Sequence, residues 1–205
     1  KISDLNWNGT PGIVFTTDLG HVLVVEDRGF SFWGSDSFSV AEVGEPVRFA
    51  PAFFNNPLTL PQRSKGMLIV TESGKVFGFS FTGSALPDSL FPPFQISGNI
   101  TTPPVAHYQQ DSTVQILWGS SPGHVYSLNI SQALVTLDSF QVGTNPISYL
   151  HLNADKEIIS IASDGGIYIN ESFYKNSELP VSRPVGDRTA GVTRDGKFLL
   201  FESDA

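Results

Sequence analysis

Oxygen-bearing side chains at alternating positions open the chain: Asp4, Asn6 and Asn8, followed by Gly9. That spacing suits a hard divalent cation, because a glycine lets the backbone turn sharply and brings carboxylate and amide oxygens onto one centre. Only Asp4 carries a formal negative charge. The loop is therefore expected to bind calcium weakly or not at all, and no other cofactor is expected. Two later loops have some of the same chemistry. His151-Leu-Asn-Ala-Asp-Lys-Glu157 has acids but sets Lys156 within the turn, and His107-Tyr-Gln-Gln-Asp111 ends on a single acid. Both read as degenerate turn loops.

The four histidines raise the question of a metal site or a general base, since imidazole ligates metals when neutral and titrates near pH 7. His21 and His124 each follow the glycine of a repeated turn, whereas His107 and His151 each close a preceding strand. Two repeat-equivalent positions in separate units are not expected to converge on one ion. Hydrolysis would call for paired carboxylates or a Ser-His-Asp set, and no nucleophile elbow, His-Glu-x-x-His helix or phosphate-cradling loop occurs. Asp27, Asp36, Asp88 and Asp195 are scattered through turns. The vicinal cysteines and regular tryptophan motif usual in pyrroloquinoline dehydrogenases are absent. Asn-x-Ser/Thr sequons stand at Asn8, Asn99, Asn129 and Asn170, and they become glycosylation candidates in a eukaryotic secretory protein. Asn99, in a loop, and Asn129, read as ending a strand, are the more accessible two.

These residues need a scaffold, and composition restricts which one. The 205 residues are 40% hydrophobic and 16% charged, with 19 Gly and 14 Pro, a balance for many short strands and tight turns. A formal charge of −8 with no cluster of Lys and Arg disfavours nucleic acid and anionic membranes as partners. There is no cysteine, which removes disulfides, thiolate nucleophiles and Cys-ligated metals. No apolar run approaches the roughly 20 residues that span a bilayer. The chain opens at Lys1 without a signal-peptide pattern, as a processed or trimmed chain would.

A repeat dictates the architecture. An apolar strand, a Gly turn and a second strand occur at Ile13 to Val25 around Gly20, at Met67 to Phe79 around Gly74, at Ile116 to Leu128 around Gly123 and at Ile158 to Ile169 around Gly165. A fifth copy begins at Phe198 and runs to Asp204. With Val14, Leu68, Ile116, Ile159 and Leu199 as equivalents, the spacings are 54, 48, 43 and 40 residues, in the range of four-stranded propeller blades. An innermost strand is expected before each copy, at Pro46–Pro51, Pro103–Tyr108, Pro146–His151 and Ala190–Thr193. A more polar outer strand should follow, at Phe94–Ser97 and Leu137–Val142. The second strands are continuously apolar, as burial on both faces requires, so Leu68, Val70, Ile116, Trp118, Ile159 and Ile161 are expected in the core. The whole is expected to be one all-β domain over 1–205, a β-propeller of four-stranded antiparallel blades with repeats at about 1–45, 46–97, 98–143, 144–185 and a partial 186–205. Helix should be negligible.

The third copy, Ile100-Thr-Thr-Pro-Pro-Val-Ala-His-Tyr-Gln-Gln-Asp through Gly123-His-Val-Tyr-Ser-Leu-Asn, resembles the FG-GAP and VCBS type of propeller repeat and, more distantly, the quinoprotein-like repeat. So does the opening, Asp4-Leu-Asn-Trp-Asn-Gly-Thr-Pro-Gly-Ile-Val-Phe, although Gly12 stands where that family has an acid. The resemblance implies propellers of about seven or eight blades that contact proteins or glycans on secreted and surface proteins. It implies either a five-bladed ring with an incomplete last blade or a segment of a longer propeller. The segment is favoured, because residues 1–40 already supply nearly a blade of their own and the C-terminal copy adds only two strands. The expectation is thus a non-catalytic exported protein, periplasmic, secreted or on the cell surface, that presents loops to a protein or glycan. Two alternatives stay open: the propeller portion of an exported hydrolase or lyase, and a periplasmic assembly scaffold that binds extended peptides by strand addition.

Overall fold

The structure, a computed structural model, describes residues 2–4, 11–55, 57, 65–80, 84–108, 113–132, 134–153, 156–174, 190–192 and 198–200, except 27–38. They form strands and turns, with no helix among them. Blade 1 comprises β1 (Ile2–Asp4), β2 (Pro11–Thr16), β3 (His21–Glu26) and β4 (Ser39–Glu42). Blade 2 comprises β5 (Ala52–Asn55), β6 (Lys65–Val70), β7 (Lys75–Ser80) and β8 (Phe94–Gln95). Blade 3 comprises β9 (Val105–Tyr108), β10 (Val114–Gly119), β11 (His124–Ile130) and β12 (Val135–Gln141). Blade 4 comprises β13 (Ile147–Leu152), β14 (Ile158–Ala162), β15 (Ile167–Ile169) and β16 (Ser172–Tyr174). Each is a four-stranded antiparallel meander paired in chain order. β17 (Ala190–Val192) and β18 (Phe198–Leu200) pair as a separate two-stranded sheet, so among the described residues the first and last strands share no sheet.

One turn is used four times. The glycine sits in the left-handed region at Gly20 (φ 81°), Gly74 (φ 90°), Gly123 (φ 78°) and Gly165 (φ 85°), a conformation that costs a side-chain-bearing residue dearly and glycine little. Its N–H bonds back across the turn to the carbonyl of Thr17, Thr71, Ser120 or Ala162. In blades 1 to 3 its own carbonyl then accepts the N–H of Val43, Ile96 or Val142, just past the outermost strand. The turn thus closes a hairpin and anchors the linker to the next blade.

The innermost strand of blade 2 differs from the sequence expectation. It is Ala52–Asn55, not Pro46–Pro51. The proline-bounded segment spends its backbone on neighbouring turns instead: Val47 N–H donates to Thr17 O, and Pro46 O accepts Glu72 N–H at 2.8 Å. With Pro46 and Pro51 lacking donors, that stretch is suited to a strap rather than a ladder.

All six residues expected in the core are at most 2% exposed. Their facing is less uniform than the expected equivalence implied. Counted from the turn, Leu68 pairs with Gly78 and Leu117 with Ser127, so Leu117 rather than Ile116 corresponds to Leu68. A one-residue step moves a strand residue to the opposite face. Leu68 and Val70 therefore face forward onto blade 3, while Ile116 and Trp118 face back to meet them in one cluster. Met67 and Ile69 pack back on Val22 and Val47, and Leu117 packs forward with Ile147 and Ile158. The core is a series of seams between stacked sheets. Trp118 stacks on Tyr126, whose hydroxyl accepts Ser97 N–H (2.9 Å) and donates to Ser97 O (3.1 Å), tying blade 3 to the linker from blade 2.

Candidate binding site on the outer edge of blade 2

Of the opening loop, the described residues include Asp4 alone. Asp4 ends β1, and Asn6 and Asn8 lie outside the described residues. In the blade 4 loop, Asn153 Nδ2 donates to Glu157 Oε2 (2.8 Å) while Asn153 Oδ1 accepts Glu157 N–H (2.8 Å). Those side chains close a turn upon each other. Of the sequons, Asn99 is exposed, whereas Asn129 lies within β11 rather than ending it and is half-buried. Asn170 occupies a left-handed turn position (φ 53°), and its Oδ1 accepts Ile158 N–H at 2.9 Å.

His107 lies on β9 and His151 on β13, the innermost strands of successive blades. Burial holds both imidazoles below the usual histidine range, and the charge of His151 lowers His107 further. They remain a pair. No group of three His, Asp, Glu or Cys side chains placed to hold a metal occurs among the described residues. His21 and His124 begin the third strands of blades 1 and 3, each with Nδ1 buried and unpartnered. Glu42 Oε1 stands 3.8 Å from His21 Nδ1, too far for a hydrogen bond.

Two acids are committed to neighbouring turns, Glu45 and Asp164. Glu45 accepts from Ser73 Oγ and from the Lys75 ammonium, which holds its carboxyl below the ordinary value. Asp164 accepts the Asn145 amide (2.6 Å) and Gly166 N–H (3.0 Å).

A concave site appears where the outermost strand of blade 2 is interrupted. Ser80 N–H bonds Ser84 O (2.8 Å) and Leu86 N–H bonds Gly78 O (2.9 Å), with Ala85 bridging Phe79. The chain then leaves the edge, and only Phe94 and Gln95 return to pair with Val76 and Lys75. Continuing that register would put Pro93 opposite Phe77. Pro92 and Pro93 have no N–H to give a ladder, so β8 cannot extend and residues 87–93 arch outward. The arch turns tightly, since Leu90 and Phe91 N–H both bond Pro87 O. It lays the Phe91 ring over Gly78, where an added Cβ would stand 2.7 Å from Phe91 Cγ. Phe91 meets Phe94 edge-on at 5.7 Å.

Beneath the arch is a cleft of about 440 Å³ with Val76, Phe77, Leu86, Phe91 and Phe94 in its walls. Lys75, Asp88 and Gln95 supply its polar lining. Lys75 is engaged with Glu45, and Gln95 Nε2 donates to Ser73 O (2.8 Å) and Ile96 O (3.1 Å). The exposed Asp88 has no partner among the described residues. Sequence reasoning passed over this site, although three prolines in the outer-strand region were the signal for it.

Stacked four-stranded antiparallel blades with repeated glycine turns define a β-propeller architecture. Comparison of the structure agrees. The chain is similar to one in the crystal structure of BBS1N in complex with ARL6DN, soaked with mercury, with a TM-score of 0.60 and 13% identity over 98% of this chain and 57% of that one. The same complex soaked with lead is matched with a TM-score of 0.52 and 12% identity, over 82% of this chain and 44% of that one. This chain spans about half the length of those solved chains. At that identity the likeness shows the fold. Neither a protein-family profile nor a curated protein matches the sequence.

Proposed function

We propose that this chain is a non-catalytic, exported β-propeller that binds another protein through the outer edge of blade 2. The cleft beneath the proline arch carries the reading: about 440 Å³ lies within the roughly 300–1,000 Å³ usual for ligand pockets, and apolar walls with a few placed polar groups are the usual composition. A protein segment is favoured over a glycan because the walls are Phe, Leu and Val, and two of the three polar side chains are already bonded within the molecule. The similar solved propeller is itself in complex with a protein. Export, and blades of the FG-GAP or VCBS type, rest on the sequence resemblance. In that reading Asp4, Asn6 and Asn8 hold calcium weakly at most, and Asn99 is the sequon best placed to be glycosylated.

The test is a photo-crosslinking amino acid at Gln95, on the rim. A specific protein adduct from extracts of the source should disappear when Ala85→Trp fills the cleft, with the melting temperature unchanged. An adduct equally strong in both proteins would remove the cleft from the interaction.

A further inference from the structure

The four complete blades finish on unlike edges. Blade 1 ends on β4, whose pairing with β3 shifts register between Val22 and Leu23. Blade 2 ends on the two residues of β8, and blade 4 on the three of β16. Blade 3 ends on β12, seven residues in unbroken register with β11 from His124↔Gln141 to Ile130↔Val135. It has no proline, no bulge and one charged residue, Asp138. Folded proteins usually blunt a long edge by one of those devices, because its unpaired groups template a further strand.

Which groups are unpaired follows from the ladder. Ser131 N–H bonds Leu134 O (3.0 Å) at one end, and Val142 N–H bonds Gly123 O (3.0 Å) at the other. Antiparallel pairing alternates, so Thr136, Asp138 and Phe140 bond β11, while Val135, Leu137, Ser139 and Gln141 turn N–H and C=O outward. Among the described residues no strand pairs with that side.

The occupant is indicated by charge. A second copy docked antiparallel about the middle of β12 would set Asp138 against its own counterpart, and like charges directly across a strand pair are destabilising. The protein's −8 charge adds to that repulsion. Asp138 is exposed and has no ion-pair partner among the described residues. We propose that β12 takes up an extended segment of a partner protein as a fifth strand of blade 3, with a Lys or Arg directly across from Asp138. Main-chain hydrogen bonds to Leu137 and Ser139 supply the affinity, and the charge pair supplies the choice of sequence. The edge is distinct from the cleft of blade 2, so either can fail without the other.

The probe is an acetylated, amidated heptapeptide alternating Thr and Val around a central Lys, with a second in which Asp replaces that Lys. The Lys peptide should slow hydrogen exchange at the Leu137 and Ser139 amides and bind at least tenfold more tightly than the Asp peptide. Ser139→Pro removes an outward N–H without touching the β11 ladder and should abolish binding. Asp138→Lys needs no backbone change and should invert the preference between the peptides, which keeps the test decisive if the proline variant fails to fold. Peptide binding that leaves both amides unprotected, or a preference indifferent to Asp138→Lys, would overturn the proposal. So would self-association lost on Ser139→Pro, which would make a second copy the occupant.

Discussion

In blade 2 the third strand carries Gly78 where blade 3 carries Ser127, and everything outward of that position differs. Gly78 leaves space for the Phe91 ring, and Pro92 and Pro93 turn the outer strand into an arch over a cleft. Ser127 Oγ accepts the Gln115 amide (2.9 Å), and the outer strand beyond it runs seven residues without interruption. Inward of the same position the blades are alike, with matching turns and continuously apolar second strands. The inner half is packed on both faces by neighbouring sheets and tolerates little change. The outer edge touches fewer neighbours, so variation there is inexpensive, and that is where the two proposed binding surfaces lie on one repeated frame.

The likeness of the inner halves can be broken directly, with the largest effect. Leu68→Ala in blade 2 and Ile116→Ala in blade 3 remove fully buried side chains that meet in the same seam. Each should cost about 2–5 kcal/mol through lost transfer energy and residual cavity. Urea denaturation measures both. If either variant unfolded at the wild-type midpoint, the seam between these blades would not be a packed core.

Exchanging the residues where the blades diverge should give unequal results. Gly78→Ser pushes a Cβ into the Phe91 ring and should cost about 1–3 kcal/mol, the usual penalty of overpacking. Ser127→Gly loses the hydrogen bond from Gln115 and a longer one from Asn129 Nδ2 (3.5 Å) and adds backbone freedom, and should cost about 1 kcal/mol. Equal costs would mean that Phe91 does not depend on the space above Gly78.

Much of the inner frame was legible because burial on two faces leaves a plain record: Leu68, Val70, Ile116, Trp118, Ile159 and Ile161 are all buried as expected. The glycine turns were legible because only glycine occupies a left-handed position cheaply. Three features were not. Pro46–Pro51 has strand-like residues, yet its hydrogen bonds go to the turns of blades 1 and 2, which composition does not reveal. Ile116 was aligned with Leu68 by apolar character, but blade 3 is apolar at both neighbouring positions and only the turn register separates them. The cleft followed from Pro92 and Pro93, which had to be read as the end of a strand rather than as part of a loop.

Giving blade 2 an edge like that of blade 3 should cost little. The double replacement Pro92→Thr and Pro93→Val restores two N–H groups and high strand propensity, so β8 should lengthen toward Phe77. Stability should stay within about 1 kcal/mol of the parent, since the lost packing of the arch offsets the gained ladder. The readout is slower amide exchange at residue 93 together with loss of crosslinking from Gln95. Slower exchange with the crosslink intact would place the partner on the strand edge rather than in the cleft.

The smallest effect is expected on the innermost strands of blades 3 and 4, at His107 and His151. Both imidazoles titrate below the ordinary value of about 6.5 because burial disfavours their charged forms, and for His107 the neighbouring His151 adds to this. Unfolding exposes them, so below about pH 6.5 the unfolded chain binds protons more readily than the folded one. Stability from these neutral histidines is therefore complete above that pH and declines as pH falls toward their folded values. His107→Gln keeps a polar side chain of similar reach but removes the titration on β9 and the shift that His151 adds to it. Urea midpoints at pH 7.5 should be close for the two proteins, while at pH 5 the variant should retain more of its neutral-pH stability. An equal decline in both would show that His107 is solvated on β9 rather than held neutral by burial.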